Sequence, residues 1–365
     1  MPLSKIQDIG NQVIPNLGRR NLLINGAMIV WQRGTTIDTI TTGKYFCDQW
    51  RIVSANLDGN VDIDQSTDVP SGQGFGFSQK VSVDASESSL DSNDNLKLQQ
   101  KFEGQNLQLL AKGTSAAKKN TISFWVKSSV ASTYTVEFVD NNNNRQLSKS
   151  YAINSADTWE HKTLTFEGDT SGSLTNNTNV SMTLNIYIDA GSDLSSGTFN
   201  NSAWGNTDNT RRVFDTTGWL ESTSPEFYLT GVQWELGDTA TDFEHRSFAE
   251  ELLLCQRYFY REQDRNSSWF GYVGFADSGT NAYMQHHHPV EMRGEPSMTT
   301  TGTAGDYSIR RAGNTIGCSN VPSLSSTSRT VGHVLWRVAS GLSSGQAVTG
   351  KHDAANHYID WSSEL

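Results

Sequence analysis

Cysteine is scarce: 365 residues hold three, Cys47, Cys255 and Cys318. They stand too far apart for a zinc spacing or a disulfide framework, so they are expected as reduced, buried thiols. Positive charge is short as well, with 28 Lys and Arg against 39 Asp and Glu, a net charge of −11 and no basic run. Neutralising phosphates needs a cationic surface, so nucleic acid is excluded as a partner. No apolar run approaches the roughly 18 residues of a membrane span, and no apolar stretch follows Met1. Neither membrane insertion nor secretion is therefore expected. Catalytic signatures are missing too: there is no Gly-rich phosphate loop, nucleophile elbow or HExxH. Asp and Glu are plentiful but scattered, so the sequence does not point to the paired carboxylates that glycoside cleavage uses.

Apolar residues make up 35 % of the chain, against roughly 45–50 % in average chains when Gly is counted. Disorder does not follow, because 10 Trp, 11 Tyr and 15 Phe are spread along the whole length. The pattern fits a loop-rich β-protein with several modest cores.

Residues 1–20 are polar, carry two prolines and read as an arm that orders only against a partner. In "NLLINGAMIVWQRGT", Asn25-Gly26 separates two apolar runs, a tight-turn signal. From about residue 50 to 245, short alternating segments are divided by Asn, Ser, Gly and Asp clusters. "KNTISFWVKSS" puts Ile122, Phe124 and Val126 on one face and Thr121, Ser123, Trp125 and Lys127 on the other. Tyr134, Val136 and Phe138 repeat the pattern before "DNNNNR" at 140–145, a hairpin loop. Leu164 and Phe166, the even positions Met182–Ile188, and Phe227, Leu229 and Val232 near Trp234 supply further inner faces. Strands at this spacing predict a β-sandwich or jelly roll over 21–245.

One segment, 246–261, reads as helix. Ser247 and Glu250 form a capping box, and Phe248, Leu252, Cys255 and Phe259 make one apolar stripe. Leu253, Gln256 and Tyr260 make a second beside it, more than one neighbouring sheet needs to cover. Two readings stay open: a broadly buried linker helix, or a helix that also meets copies of itself about an axis. Residues 262–365 then predict a second, smaller β-domain.

These stretches carry a resemblance. "RNLLINGAMIVWQRGT…YFCDQW" at 20–50 resembles the opening of tailed-bacteriophage tail fibre and related virion structural proteins. "LTGVQWELGDTATDFEHRSFAEELLLCQRYF" at 229–259 resembles the end of that family's jelly-roll domain and the helix after it. "HPVEMRGEPSMTTTG" at 288–302 is similar to the first long strand of its distal domain, and the terminal "SSEL" to its Glu-Leu ending. His286–His288 depart from the apolar residues usual at that point. The resemblance implies an elongated homotrimer on the virion, folded in the host cytoplasm. Its arm would attach to other tail or capsid proteins, its distal domain would face a host-surface glycan or protein, and its helix would pack about the trimer axis.

Glycan binding needs flat aromatic faces beside polar groups, and Trp269, Tyr272, Tyr307, Trp336, Tyr358 and Trp361 are the distal candidates. A β-domain of this size also needs aromatics inside, so each has core as its competing role. His286 and His288 share a strand face, and three chains could gather them round an axial transition metal; surface or packed imidazoles are the alternative. "DGNVDID" at 58–64 and "DNNNNR" offer oxygens to calcium, though neither matches an EF-hand. No cofactor is otherwise expected. The sequence thus reads as an all-β tail-fibre protein that binds a host receptor without catalysing a reaction; the other roles left open are a capsid-decorating or tail-adaptor protein and a glycan-depolymerising fibre.

Overall fold

Strands form where the alternation placed them, and the side chains it turned inward make the cores. The computed structural model describes residues 19–40, 43–85, 87, 89–222, 224–263, 269–353 and 357–365. The expected arm therefore lies outside the described residues except for Arg19 and Arg20. The chain divides into two compact units, one running to Ile29 and from Thr35 to Arg246, the other made of Val30–Gly34 and Ser247–Leu365.

The first unit contains β1 (Thr36–Ile40), β2 (Lys44–Tyr45), β3 (Arg51–Ala55), β4 (Asn60–Ser66), β5 (Ser78–Ala85), β6 (Asn95–Glu103) and β7 (Asn120–Ser128). After these come β8 (Thr133–Asp140), β9 (Arg145–Ala152), β10 (Glu160–Phe166), β11 (Val180–Ala190), the one-turn helix α1 (Ser192–Ser195), β12 (Gly205–Asn206) and β13 (Glu226–Leu236). They form a six-stranded sheet, β1-β4-β5-β13-β7-β10, facing a seven-stranded one, β12-β9-β8-β11-β6-β3-β2. Trp234 of β13 joins the two, with ring centroids 4.5 Å from Phe138 on β8 and 4.9 Å from Phe102 on β6. Its indole N–H donates to Asn120 Oδ1 at 2.7 Å, so the buried polar end is satisfied. Each such fully buried aromatic contributes about 1.5–3 kcal/mol.

β13 pairs with β5 only over Glu226–Leu229, which leaves its far half without a strand neighbour on that edge. Residues 21–26 fill the place. The Leu22 amide donates to Trp234 O at 2.8 Å and the Val232 amide to Gly26 O at 2.9 Å. The Asn21 side chain donates to Val232 O and accepts from the Trp234 amide, each at 3.0 Å. A Cβ on Gly26 would lie 2.0 Å from Val232 O, so only glycine allows this approach. Gln100 secures the same segment by exchanging hydrogen bonds with Ile24 N and O at 3.0 and 2.9 Å. Asn25–Met28 does turn, through Met28 N to Asn25 O at 3.2 Å, but neither flanking run is a hairpin strand, and Leu22–Ile24 lies in the cap on β13.

The "DNNNNR" loop closes the β8–β9 hairpin, with Asp140 opposite Arg145. The cation at its carboxylate is the Lys112 ammonium, which donates to Asp140, to Asp169 at 3.0 Å and to the Ser171 and Gly172 carbonyls at 2.9 Å each. Burial pushes Asp169 up, but hydrogen bonds from Arg145 and Lys112 outweigh it and hold its carboxyl below the usual range. In 58–64, Val61 and Ile63 turn inward and leave Asp62 and Asp64 on the other side of β4. Among the described residues no three His, Cys, Asp or Glu gather closely enough for a metal ion.

The second unit contains α2 (Phe248–Gln256), β14 (Phe259–Gln263), β15 (Trp269–Ala276), β16 (Asn281–His287), β17 (Ser297–Thr300) and β18 (Tyr307–Arg311). It continues with β19 (Asn314–Gly317), β20 (Ser323–Thr327), β21 (Val331–Arg337), β22 (Ala347–His352) and β23 (Tyr358–Ser362). A three-stranded sheet, β14-β23-β17, packs on a seven-stranded one, β19-β18-β22-β15-β16-β21-β20. The all-β class expected from the sequence is the one observed, with sandwich sheets in both units. The expected long strand at 288–302 is confined to β17.

The helix is shorter than its apolar stripe. Its capping box is present, with Glu250 N donating to Ser247 Oγ at 3.3 Å and Ser247 N to the Glu250 carboxylate at 2.9 Å. It nevertheless ends at Gln256, and Phe259 and Tyr260 belong to β14, opposite Ser362 and Trp361. The reason is non-local: ladder bonds to β23 replace helical ones, and Gln32 and Arg33 close on Phe259, by Nε2 to its carbonyl at 2.8 Å and by a guanidinium 3.5 Å from its ring centroid. Cys255 and Gln256 are buried and Leu252 half-buried, whereas Phe248 and Leu253 remain 57 % and 49 % exposed.

Replacing Lys112 by Met would leave the buried Asp140 carboxylate without its cation, while Asp169 keeps Arg145. Lys112→Met is expected to cost roughly 3–5 kcal/mol in urea unfolding, and Asp140→Asn in the same chain to restore part of it. Unchanged stability would show that the ammonium is not needed there.

Candidate functional site

Trp125 points away from the sandwich core because Phe124 and Val126 on either side of it point in. On β10 its register partner is His161, and the two rings lie 5.1 Å apart at 45°. On β13 the register breaks: Thr230 pairs with Trp125 and Gln233 with Ser123, so Gly231 and Val232 form a bulge. Gly231 adopts φ +63°, and a Cβ there would lie 2.5 Å from the Phe75 ring, so glycine is required twice over. Phe75 covers the bulge, edge-on to Phe243 at 5.0 Å and beside His245 at 5.2 Å.

These residues bound a groove of about 540 Å³ on the outer face of the six-stranded sheet. Ser123, Trp125 and Gly231 form its floor, Gly72, Gln73 and Phe75 one wall, Thr241–Phe243 and His245 another, and His161 the remaining edge. The 241–245 wall hangs on buried side chains of β13. Glu235 accepts from Thr241 N at 2.9 Å and Thr241 Oγ1 at 2.7 Å, and Gln233 Oε1 accepts from Glu244 N at 2.8 Å. The Glu244 carboxylate in turn accepts from the amides of Arg20 at 3.1 Å and Asn21 at 2.8 Å. Burial raises the Glu244 pKa, but these amides and Arg246 outweigh it and hold the carboxyl below its ordinary value. Arg246 also donates to the carbonyls of Leu23 and Asn21, so the cap on β13 and the groove wall are one structure.

The aromatic surface extends along the sheet. The Lys127 ammonium lies 4.1 Å from the Tyr228 ring centroid, and Trp159 donates its indole N–H to Asp68 at 2.8 Å. Burial raises the Asp68 pKa, but hydrogen bonds from Lys127 and Trp159 prevail and lower it. Within the groove the polar groups are Gln73, Ser123, His161, Thr241, Asp242 and His245. Partial burial holds the His161 imidazole below its ordinary pKa, which favours the neutral ring, one donor and one acceptor. An apolar plane ringed by such groups suits a ligand with C–H faces and hydroxyl edges.

The distal aromatics named from the sequence are placed differently. Tyr272, Tyr307, Trp336 and Trp361 are fully buried and build the core of the second unit, so they offer no face to a ligand. A three-on-seven sandwich needs that bulk inside. Tyr358 is half-buried with the Arg261 guanidinium 3.4 Å over its ring, and the side chain of Trp269 lies outside the described residues. His286 and His288 are buried within the second unit. His286 stacks on Trp361 at 5.0 Å and 6°, and His288 meets the same ring edge-on at 4.8 Å. Trp125 was placed on an outward face by its alternation with Phe124 and Val126, and that was the available signal for the groove. Phe75, Phe243 and His245 had none, because long-range packing brings them there.

No protein-family model matches the chain, and no curated protein matches it at a significant level. Among solved structures, the chain is similar to the enzymatically active domain of tailspike protein 4 of bacteriophage CBA120, at 12 % identity and a TM-score of 0.32 over 60 % of this chain. It covers 21 % of that tailspike chain, about a fifth of its length. It is also similar to the family 11 carbohydrate-binding module of the cellulosomal cellulase Lic26A-Cel5E of Clostridium thermocellum, at 14 % identity and a TM-score of 0.28, covering 59 % of this chain and 98 % of the module. A third is TmCBM61, solved with β-1,4-galactotriose, at 11 % identity and a TM-score of 0.28, covering 60 % and 99 %.

The buried imidazoles make stability depend on pH. Burial pulls His286 down to about 3 and His288 down to about 4, from an ordinary 6.5. The Glu262 carboxylate, 3.1 Å from His286 Nδ1, works the other way, so His288 is the better probe. Its folded pKa is depressed, so the unfolded chain takes up the proton first. Its contribution is complete above about pH 6.5 and falls by roughly 1.4 kcal/mol per pH unit down to about pH 4. Between pH 6.5 and 5, His288→Gln is expected to flatten the fall in urea-derived stability seen in the parent chain. An equal slope in both would overturn this account.

Proposed function

We propose that this chain is a non-catalytic glycan-binding protein of a phage tail fibre, and that its first unit holds sugar in the groove over Trp125. The observation that carries this reading is outward Trp125 on the groove floor with His161 beside it at the edge, an apolar plane bordered by amide, hydroxyl and imidazole groups. Stacking against one aromatic ring while hydroxyls meet the surrounding donors and acceptors is how such a surface gains affinity and orientation. Among the described residues Asp242 is the one carboxylate in the groove lining, whereas glycoside hydrolysis employs two, roughly 5–10 Å apart. Binding without cleavage is the reading this supports.

The tail-fibre assignment rests on the resemblance at 20–50 and 229–259. Both segments have a physical task in this chain, since one caps β13 and the other carries the groove wall and α2. In this reading the chain works as a homotrimer on the virion. Three modest sites per fibre, multiplied over several fibres, hold a particle at a cell by avidity. The exposed Phe248 and Leu253 of α2 are the contact proposed between copies. Phe248→Ser with Leu253→Ser is then expected to lower the mass measured by sedimentation equilibrium from three chains towards one. A single-chain mass for the parent protein would end the trimer proposal.

Adsorption competition tests the function itself. Soluble protein titrated into phage and host should block adsorption in proportion to dose, and Trp125→Ala should weaken that block about tenfold, the equivalent of roughly 1.4 kcal/mol. No block at saturating protein would refute host attachment and move the chain to a capsid or tail-adaptor role. A full block by Trp125→Ala would refute the groove. Reducing ends released from host polysaccharide would refute the non-catalytic reading.

A further inference from the structure

The seven-stranded sheet of the second unit differs in composition from the chain that contains it. The chain has 39 acidic and 28 basic residues, yet strands β15, β16 and β18–β22 contain no Asp or Glu while carrying Arg310, Arg311, Arg337 and Lys351. The acids nearby, Asp277, Glu291, Asp306 and Asp353, lie in connecting segments, and Asp353 pairs with Lys351 at 2.7 Å. By contrast β1, β4, β5, β10 and β13 of the first unit's six-stranded sheet all contain acids. A sheet face cleared of negative charge in an acidic chain is complementary to an anion.

Register arranges its side chains in rows. Residues directly opposite on antiparallel neighbours share a face. Ala347, Phe275, Tyr283 and Leu335 line up across β22, β15, β16 and β21 as one apolar row. Two residues along each strand, Arg310, Thr349, Val273, Gln285 and His333 form the next. Arg337, opposite Asn281, stands on the other side of the apolar row. These are outward rows, because Tyr272, Ala276, Met284, Val334 and Trp336 between them fill the core. Phe275 and Val273 are 53 % and 60 % exposed. Strands are about 4.8 Å apart and alternate residues about 7 Å, so an apolar ribbon one side chain wide runs beside a row of hydrogen-bonding groups.

We infer that this face is a second binding surface, separate from the groove, for an extended anionic polysaccharide. Sugar C–H faces lie on Phe275 and Tyr283, hydroxyls meet Thr349, Gln285 and His333, and carboxylates or phosphates on the sugars reach Arg310 and Arg337 on either side. A second protein copy fits less well. The core of a protein interface is broadly apolar with its polar groups at the rim, whereas here polar residues border the ribbon along its length.

The test is affinity electrophoresis of the full chain in gels containing polygalacturonate, phosphomannan or neutral dextran. Retardation is expected with at least one of the two anionic polymers, and which one identifies carboxylate or phosphate as the anion. Trp125→Ala should leave it unchanged, which separates this face from the groove. Phe275→Ser should weaken it at least tenfold, and Arg310→Gln with Arg337→Gln should weaken it and flatten its salt dependence. Phe275, Arg310 and Arg337 all lie outside the core, and circular dichroism of each variant checks the fold. The inference is overturned if neither anionic polymer retards the chain or if Phe275→Ser migrates as the parent does. It is also overturned if Phe275→Ser alters the sedimenting mass, which would make the face an interface between copies.

Discussion

The wall of the groove in the first unit depends on how the far half of β13 completes its hydrogen bonds. Buried backbone N–H and C=O groups must be paired, and β5 leaves those of Val232 and Trp234 without a strand partner. The chain supplies Leu22, Gly26 and the Asn21 side chain instead of another strand. A strand there would have ended in an ordinary loop. An irregular cap has free amides of its own at Arg20 and Asn21, and these are what anchor Glu244 and so the groove wall.

The same irregularity explains why the groove lies where it does. A bulge changes the direction of one strand and opens space above it. At Gly231 that space receives Phe75, whose ring then supports Phe243 and His245. Trp125 and His161 meet it from the regular side of the sheet, where register alone sets them together. The groove is therefore half ladder geometry and half loop packing, each stabilised by a different set of contacts.

What could be read in the sequence follows from that division. Alternation over 120–128, 133–140, 180–190 and 226–236 displayed the strands, and Asp140–Arg145 displayed its hairpin, because both are local. Alternation also assigned Trp125 to an outward face, although nothing local said that a groove lay over it. The capping box marked the start of α2 correctly. Its end was hidden, since the apolar spacing runs on through Phe259 while a ladder to Ser362, about a hundred residues later, takes that residue into a strand. Burial of Tyr272, Tyr307, Trp336 and Trp361 reflects how little else a small sandwich has to fill its centre. A neighbouring residue shows the other side of the rule: Phe275 shares a strand with Tyr272 and differs only in parity.

The cap on β13 also bears on the order in which the chain is made. Its hydrogen bonds to β13 and the segment after it join residues far apart in the chain, up to the 225 positions between Asn21 and Arg246. Contacts of such high sequence separation form late and slowly. During synthesis the Asn21–Gly26 segment emerges early and has no edge to occupy until β13 and the segment after it have left the ribosome. The wall of the groove is thus closed by the first and last parts of the unit together, and an incompletely synthesised chain carries Trp125 without the surface around it.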